Sequence, residues 1–437
     1  MDIGIIGTGY VGLVSGVCLA NLGNKVTCVD NDRKKISDLK KGIIPIYEPG
    51  LKELAAINYK KKRLNFSTSI KEAVTDSEVI FIAVGTPSLP NGEADLTAIE
   101  VVARNIAINL KKYRLIVEKS TVPVETGNWV KRTISAYIKG KVNFDVASNP
   151  EFLREGQAIN DFMHPDRIVI GVESRKAKEI LTSLYKPLKA PIVVTDIKSA
   201  ELIKHASNSF LATKVSFINA LSRICDKVGG DVSEVAYGMG LDKRIGKAFL
   251  NAGIGYGGSC FPKDLDAFIH ISEKSTYDFQ LLKAVRQINE EQKAFFFNKI
   301  KEAIWILKGK SIAVLGLSFK PNTDDIRNAP SLDIINNLLA EGAKIRVYDP
   351  QSMRKAKEAL NNKVTFCKDP YEACQGCECV LVITEWSEFK EIDFAKIKKA
   401  LKRPIVIDGR NIYEPQKMKK MGFHYVAIGR RGDKKVI

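Results

Sequence analysis

One cysteine stands where its thiol can act as a nucleophile. Residues 257–264 read Gly-Gly-Ser-Cys-Phe-Pro-Lys-Asp, and the two glycines before Cys260 allow a tight turn with room for a ligand. Pro262 suits the first turn of a helix, so Cys260 is predicted at a helix N-terminus, whose partial positive charge favours the thiolate. Asp264 would lie one helical turn further on. A glycine-rich turn around a buried thiol explains the same spacing equally well.

Four more polar residues form two pairs with helical spacing. Lys204 and Asn208 are four residues apart, and their ammonium and amide groups suit the stabilisation of a developing oxyanion. A lysine that merely extends to solvent is the alternative. Glu151 and Glu155 follow an Asn-Pro pair at residues 149–150, which reads as the start of a helix. Either carboxylate suits proton transfer, but acidic residues also stabilise a first helical turn, and the spacing favours that structural role.

The most specific motif is a dinucleotide-binding fingerprint at residues 7–12, Gly-Thr-Gly-Tyr-Val-Gly. It follows a predicted strand and opens a predicted helix, and the next predicted strand ends in Asp30. The three glycines would make the turn, admit the pyrophosphate and let helix and strand pack, and Asp30 would accept from the ribose hydroxyls. Asp30 favours NAD, whereas the basic residues 33–35 leave NADP open.

Two short loops follow other predicted strands, Gly-Thr-Pro at residues 85–87 and Ser-Thr-Val-Pro at residues 120–123. The carboxyl ends of parallel strands line the ligand crevice of an open α/β sheet, so we expect cofactor or substrate contacts at both loops. The histidines show no catalytic or metal-binding spacing, and we predict structural roles for His164, His205, His270 and His424.

Alternating apolar runs and helical patterns predict the elements that position these residues. Strands are predicted at residues 3–6, 25–29, 79–84, 115–119, 142–147, 168–171 and 192–195, and again at 312–315, 344–348, 380–383 and 404–407. Residues 198–228 contain no proline or glycine and predict one long helix. We therefore predict an α/β protein with two Rossmann-like, doubly wound parallel-sheet domains at 1–196 and 301–437, joined by a central helical domain at 197–300.

Composition narrows the classes of partner. No window of the 437 residues is apolar enough to span a membrane, and no targeting segment is recognised, so a cytoplasmic protein is expected. The net charge of +18 is spread along helices and suits small anionic ligands, so no nucleic acid is expected. Four of the eight cysteines cluster at residues 367–379, but they lead into an apolar run and are predicted to be buried rather than to bind a metal.

Over essentially the whole chain, seven segments resemble the UDP-glucose/GDP-mannose dehydrogenase family. They are residues 7–12, 84–87, 120–123, 149–156, 204–208, 255–264 and 318–327. Residues 204–210, 241–246 and 256–264 are most similar to the branch that acts on UDP-glucose. The resemblance implies an NAD-dependent, four-electron oxidation of the C6 alcohol of a nucleotide sugar to a carboxylate, without release of the aldehyde.

Other functions stay open at this point. The substrate could be GDP-mannose or a UDP-N-acetylhexosamine. A two-electron NAD dehydrogenase in which Cys260 is only structural is a second alternative. A catalytically silent NAD-binding scaffold that recruits nucleic acid is the third, and it belongs to a different class of protein.

The resemblance also implies roles for the catalytic residues. Cys260 would trap the aldehyde as a thiohemiacetal that is oxidised to a thioester, and Lys204 and Asn208 would stabilise the oxyanion. Asp264 would support Lys204 and the hydrolytic water, Glu151 would be an acid or base, and Thr121 would help to hold that water. Which carboxylate, Asp264 or Glu151, moves the hydrolytic proton is left open.

The binding residues follow from the fingerprint and the same resemblance. Cofactor contacts are implied at Gly7, Gly9, Tyr10, Val11, Gly12, Asp30, Lys35, Thr86, Thr121, Glu155 and Arg327. Substrate contacts are implied at Glu151, Phe152, Leu153, Arg154, Glu155, Lys204, Asn208, Arg244, Phe249, Leu250, Asn251, Ala252, Gly253, Gly257 and Lys320. Arg244 would reach across a homodimer formed by the long helix, and the UDP group would bind on the last sheet.

Overall fold

The computed structural model describes residues 1–89 and 91–430. The chain divides into two compact units, one with residues 1–207 and 266–277 and one with residues 208–265 and those from 278 onward. Two helices, α9 (Ile197–Val228) and α11 (Phe261–Lys274), contribute residues to both units. The predicted boundaries of three domains stay a prediction.

The first unit is built on an eight-stranded sheet with the order β3-β2-β1-β4-β5-β6-β7-β8. Its strands are β1 (Asp2–Ile6), β2 (Lys25–Val29), β3 (Leu64–Ser67), β4 (Val79–Ile82), β5 (Arg114–Glu118), β6 (Phe144–Ser148), β7 (Ile168–Val172) and β8 (Ile192–Thr195). Its helices before α9 are α1 (Tyr10–Asn21), α2 (Arg33–Lys40), α3 (Leu51–Lys60), α4 (Ile70–Asp76), α5 (Thr97–Asn109), α6 (Thr126–Tyr137), α7 (Ala158–Met163) and α8 (Arg175–Tyr185).

Both faces of this sheet are covered, which explains the continuous apolar runs. Along β4, Val79 and Phe81 enter one apolar core, while Ile80 and Ile82 enter the core on the opposite face. This alternation follows from the two-residue period of a strand, and a strand buried on both faces needs apolar residues at every position. The carboxyl ends of β1, β2, β4 and β5 consequently carry the loops in which the site residues were predicted.

The second unit repeats the architecture with a six-stranded, all-parallel sheet of order β11-β10-β9-β12-β13-β14. Its strands are β9 (Ser311–Leu315), β10 (Lys344–Tyr348), β11 (Thr365–Phe366), β12 (Cys379–Val382), β13 (Ile405–Asp408) and β14 (His424–Val426). Its further helices are α10 (Val232–Gly240), α12 (Gln280–Ile304), α13 (Pro330–Ala340), α14 (Met353–Leu360), α15 (Pro370–Cys374), α16 (Ser387–Lys390), α17 (Phe394–Ala400) and α18 (Pro415–Lys420).

The predicted fold class is confirmed, with one difference in strand direction. Strand β7 pairs with β6 in the antiparallel sense and β8 continues parallel to β7, so the last two strands of the first sheet run against the other six. The connection from β6 to β7 carries only the six-residue α7 instead of a full crossover helix. Strands β3, β11 and β14 were missed, because they are short edge strands without a long apolar run.

The cysteine-rich segment is buried, as predicted. Cys367, Cys374, Cys377 and Cys379 all lie in the apolar cores of the second unit. Burial raises the pKa of the Cys377 thiol to about 11, which keeps it in the neutral form at physiological pH. In the part of the chain that the structure describes, no group of three His, Cys, Asp or Glu side chains is arranged to hold a metal ion. Over those same residues, every helix is too short or too polar to cross a bilayer.

Candidate active site

The glycine fingerprint forms an open cradle at the start of α1. Gly7 has φ of 105°, and a Cβ atom on Gly12 would lie 2.0 Å from the carbonyl oxygen of Gly7. A Cβ atom on Gly9 would meet nothing within 4 Å, and no side chain caps the helix at Gly9. The first N–H groups of α1, including those of Tyr10 and Val11, therefore face an open position that suits a pyrophosphate.

Asp30 follows β2 beside this cradle. Its Oδ2 atom accepts from the Thr8 backbone N–H at 3.0 Å, the Thr8 hydroxyl at 2.7 Å and the Lys35 ammonium at 2.9 Å. Burial opposes ionisation, but these hydrogen bonds outweigh it and hold the pKa of Asp30 below its usual value. Lys34 pairs with Asp38 and Lys35 with Asp30, so two of the basic residues that left NADP open are engaged with carboxylates. The arrangement fits NAD.

A carboxylate that sequence reasoning missed ties the fingerprint to a second loop. Glu48 is buried and accepts a hydrogen bond from the Tyr10 hydroxyl. The Gly156 backbone N–H lies 2.8 Å from the Tyr10 oxygen and 2.7 Å from Glu48 Oε2. The turn that contains Glu155 is thereby fixed beside the start of α1. The only signal in the sequence is Glu-Pro-Gly at residues 48–50, which resembles an ordinary turn.

Glu151 and Lys204 form a buried ion pair in the first unit. Lys204 Nζ lies 2.8 Å from Glu151 Oε1, and the two side chains are only 4% and 5% exposed. Glu151 Oε2 accepts from the Leu153 backbone N–H, and the Phe152 ring centre lies 5.4 Å from Lys204 Nζ. A buried ammonium and a buried carboxylate require such a partner, so the lysine does not extend to solvent.

The predicted helix start at residues 149–150 is wrong. The chain stays irregular until α7 begins at Ala158, so Glu151 and Glu155 do not share a helical turn. Asn149 does not act as a cap, because its amide donates to the Val169 carbonyl at 2.8 Å and its Oδ1 atom accepts from Lys119 at 3.0 Å. Tertiary hydrogen bonds therefore replace the local cap that the sequence indicated.

The two loops after β4 and β5 meet, as their shared edge predicted. The Thr86 hydroxyl donates to the Thr121 carbonyl at 2.9 Å, and the Ser120 hydroxyl donates to the Val84 carbonyl at 2.8 Å. These contacts hold the backbone of Thr121 at the edge of the sheet. His205 is buried and bonded to the Val122 carbonyl, which agrees with a structural histidine.

In the second unit, Cys260 immediately precedes α11, as predicted. The Asp264 backbone N–H donates to the Cys260 carbonyl at 2.8 Å, which is the first hydrogen bond of the helix. The loop before it is closely packed, since a Cβ atom on Gly257 would lie 2.1 Å from the Asn328 carbonyl oxygen. The cysteine is partly exposed and lies at the N-terminus of the helix.

Asp264 is buried and holds two neighbours in the second unit. Its Oδ2 atom accepts from the Asn208 amide at 2.6 Å, and its Oδ1 atom lies 2.9 Å from the Lys263 ammonium. The amide of Asn208 is thus oriented by a carboxylate one turn into α11. Polar groups on two helices are joined here at a site that sequence spacing alone does not connect.

The predicted substrate residues of the second unit lie on several loops. Gly253 donates its N–H to Asn219 Oδ1 at 2.9 Å, and the Phe249 ring centre lies 6.0 Å from that of Phe261. Leu250 and Ala252 are buried, whereas Asn251 is exposed. The Arg327 carbonyl accepts from the Gly258 N–H at 2.9 Å, which joins the loop of residues 318–327 to the loop before Cys260. Lys320 lies over the Phe319 ring.

Two arginines of the predicted substrate set have acidic partners. Arg244 pairs with Asp242 in an exposed turn of the second unit, where 90% of its side chain is exposed. Arg154 pairs with Asp161 in the first unit. Both roles in substrate binding stay predictions.

The second sheet has its own buried acid at the end of β10. Asp349 Oδ2 accepts from the Leu317 N–H at 2.7 Å, the Ser318 N–H at 3.1 Å and the Trp386 indole N–H at 3.1 Å. Asp349 is almost completely buried. The second sheet therefore uses this carboxylate to hold its own loops together.

Two ionisable residues at the end of β5 are fully buried. Burial raises the pKa of Glu118 to about 8, repulsion from Glu201 adds to the shift, and hydrogen bonds from Ser120 oppose it. Burial lowers the pKa of Lys119 to about 8 against the attraction of Glu151. A cavity of about 50 Å³, lined in part by Lys119, Glu151 and Tyr185, lies next to this lysine.

Glu118→Gln should change how stability depends on pH. Because the pKa of Glu118 is raised, the stability it contributes is complete below its ordinary value near 4.5 and is lost as the pH rises through about 8. Relative to wild type, the variant should therefore gain about 2–4 kcal/mol in the free energy of unfolding between pH 5 and pH 8.5. Urea unfolding at both pH values measures this. Glu173→Gln, at a half-exposed carboxylate, is the control, and equal gains in both variants would refute the assignment.

Models of one protein family cover most of the chain. The NAD binding domain of the UDP-glucose/GDP-mannose dehydrogenase family matches residues 1–189, the central domain matches residues 198–291, and the UDP binding domain matches residues 313–415. These matches confirm the predicted family resemblance and NAD as the cofactor. They also indicate a nucleotide-sugar ligand, in agreement with the expected small-molecule substrate.

Curated and solved relatives agree with these models. UDP-glucose 6-dehydrogenase TuaD of Bacillus subtilis (strain 168) is 50% identical over 428 residues, which cover 98% of this chain and 93% of the relative. UDP-glucose 6-dehydrogenase of Rhizobium meliloti (strain 1021) is 47% identical over 437 residues, which cover 98% and 100%. A solved UDP-glucose dehydrogenase from the archaeon Pyrobaculum islandicum superimposes with a TM-score of 0.92 at 39% identity, with 98% of both chains covered. The chain therefore belongs to the UDP-glucose/GDP-mannose dehydrogenase family and is an NAD-dependent oxidoreductase.

Proposed function

We propose that this protein oxidises UDP-glucose to UDP-glucuronate with two NAD⁺ and one water, giving two NADH and three protons. The relatives named UDP-glucose 6-dehydrogenase, at 50% and 47% identity, support this substrate. The observation that carries the proposal is the position of Cys260 at the start of α11, because a nucleophilic thiol can retain the aldehyde between the two hydride transfers of a four-electron oxidation. A two-electron dehydrogenase needs no such group.

The first oxidation removes a proton and a hydride from the C6 alcohol. NAD, held by the fingerprint at residues 7–12 and by Asp30, supplies the hydride acceptor for both oxidations. Glu151 is the proposed acid or base, and its Oε1 atom lies 2.8 Å from the Lys204 ammonium. The Lys204 ammonium and the Asn208 amide stabilise negative charge on the substrate oxygen, and Asp264 orients that amide.

The second oxidation is covalent. The Cys260 sulfur adds to the aldehyde carbon, and the aldehyde oxygen becomes the hydroxyl of a thiohemiacetal. Loss of that hydroxyl proton and of a second hydride gives a thioester. Water then adds to the thioester carbonyl, the carbon–sulfur bond breaks, and the thiolate leaves while the carboxylate forms. Thr121 helps to hold this water, and Asp264 and Glu151 are the two candidate bases.

The remaining predicted residues bind the two ligands. Glu155, Thr86 and Arg327 are proposed cofactor contacts, and the fixed turn beside Tyr10 supports the first of them. The loop of residues 249–253 and Lys320 are proposed contacts for the UDP-sugar. All eight cysteines are free thiols, which supports a reducing compartment and therefore a cytoplasmic location.

The ratio of NADH formed to sugar consumed tests the proposal. With limiting UDP-glucose and excess NAD⁺, absorbance at the NADH band should give two NADH per sugar. GDP-mannose, UDP-galactose and UDP-N-acetylmannosamine should react at least 100-fold more slowly. One NADH per sugar would refute the covalent route, and faster oxidation of another sugar would refute the assigned substrate. No sugar-dependent reduction, together with salt-sensitive RNA binding, would favour the scaffold.

Cys260→Ser should stall the reaction before completion. An alcohol is a poorer nucleophile and leaving group than a thiol, so we expect kcat to fall at least 100-fold and NADH to stop short of two per sugar. Stopped-flow absorbance and mass spectrometry of the sugar measure both. Cys225→Ala, at a buried cysteine of α9, should retain normal stoichiometry. Full turnover in Cys260→Ser would show that the thiol is structural.

We also propose that α9 forms a homodimer. Phe210, Phe217, Ile224 and Val228 follow each other at helical spacing in the second unit and are 66%, 50%, 54% and 75% exposed. An apolar row of this length is costly in water and is typical of a surface that a second copy covers. The expected contact of Arg244 with the other subunit belongs to this proposal.

Phe217→Lys should separate the dimer. Placing a charge in the apolar row should shift the mass in solution from about twice 48.4 kDa to that of one chain, which sedimentation velocity measures. Trp305→Lys changes an even more exposed aromatic residue outside the row and should leave the dimer intact. A monomeric wild type, or a Phe217→Lys variant that remains a dimer, would contradict the proposal.

A further inference from the structure

Three residues on one face of α9 lie within five positions of each other. Glu201, Lys204 and His205 have the spacing i, i+3 and i+4, which places their side chains together on the helix. Lys204 belongs to the ion pair with Glu151. The other two bind the Thr121 loop, residues 119–125, which connects β5 to α6.

Glu201 caps α6 from a distant part of the chain. Its Oε2 atom accepts from the Glu125 backbone N–H at 2.7 Å, and its Oε1 atom accepts from the Gly127 N–H at 2.8 Å. The N-cap residue Glu125 has φ of 81° and caps the helix with no side-chain hydrogen bond of its own. The first N–H groups of a helix have no partner within it, so a carboxylate bound to two of them fixes where the helix begins.

His205 holds the middle of the same loop. Its Nε2 atom lies 2.8 Å from the Val122 carbonyl oxygen, and because a carbonyl can only accept, Nε2–H is the donor. The far side of the loop is held by the bond from Thr86 to the Thr121 carbonyl. Thr121 therefore lies between an anchor in the loop after β4 and two anchors on α9.

We propose that Glu201 is a positioning residue that fixes the Thr121 loop in register with Lys204. Glu201 and Lys204 belong to the same helix, so the two hydrogen bonds from Glu201 fix the loop relative to Lys204. The catalytic consequence rests on the proposed function, in which Thr121 holds the hydrolytic water. Without Glu201, the hydrolytic water and the Glu151–Lys204 ion pair would no longer be fixed relative to each other. A misplacement of about 1 Å is enough to slow a reaction strongly.

The ionisation of Glu201 provides a signature that a purely structural role lacks. Burial raises the pKa of Glu201 to about 7, and repulsion from the Glu125 carboxylate adds to this shift. The hydrogen bonds from the Gly127 and Glu125 N–H groups and the charge of Lys198 lower the pKa. Glu118 faces it from β5, and Lys204 and His205 lie on the same helix. A protonated carboxyl loses one of its two acceptors, so the hold on the loop is complete only above about pH 7.

Two variants and a control test this proposal. Glu201→Ala removes both acceptors, and Glu201→Gln keeps one of them, like the protonated acid. Asp145→Asn is the control, because Asp145 on β6 binds Tyr113 and Ser174, neither of which is a proposed catalytic residue. The measurements are amide hydrogen exchange over residues 119–130, and kcat and KM for UDP-glucose from pH 6 to pH 9.

In Glu201→Ala we expect exchange to rise at least tenfold in residues 119–130, and kcat to fall at least tenfold with KM changed less than twofold. Glu201→Gln should regain part of kcat and lose the wild-type rise of kcat through about pH 7. Asp145→Asn should keep kcat even if its unfolding midpoint falls.

Unchanged exchange in residues 119–130 would overturn the proposal, as would a loss of kcat that merely follows the folded fraction. If wild type forms no NADH from UDP-glucose, the proposed function fails, while the exchange data still decide whether Glu201 holds the loop.

Discussion

The structure of the first unit depends on the need to pair buried charges. Lys204 is buried on α9, and the Glu151 carboxylate lies 2.8 Å from its ammonium, so neither charge is left unpaired in the interior. Glu151 must in turn be delivered by an irregular segment after β6, which the Asn149 side chain fixes through bonds to Lys119 and Val169. The chain stays irregular from Asn149 until α7 begins, and Glu151 reaches Lys204 from this segment.

The same principle recurs around the other loops. Glu48 holds the turn beside Tyr10, Asp349 holds the loops of the second sheet, and Asp264 orients Asn208. In each case a buried carboxylate accepts N–H groups that no regular element satisfies. Such contacts keep loops in one conformation, and loops at the carboxyl ends of strands are where an α/β enzyme binds its ligands. The protein thus uses buried acids to fix its backbone and side chains in place.

Much of the architecture could be predicted, because the periodicity of apolar residues and the spacing of glycine and proline are local properties of the sequence. The apolar runs of β1, β2, β4 and β5 identified buried strands, and the absence of glycine and proline identified α9 within one residue. The fingerprint at residues 7–12 identified its own turn. Predictions failed where no local signal exists, namely the short edge strands, the reversed direction of β7 and β8, and the segment after Asn149.

The sequence by itself determined the fold class, the cofactor cradle and the helical position of Cys260, since each follows from residues that are neighbours along the chain. Only the tertiary structure decided which carboxylate serves which group: Glu151 for Lys204, Asp264 for Asn208, and Glu201 for the start of α6. The partners in these pairs are separated by 53, 56 and 76 residues. Their pairing is set by the high cost of leaving a buried polar group unsatisfied, which is a property of the folded interior and has no period along the sequence.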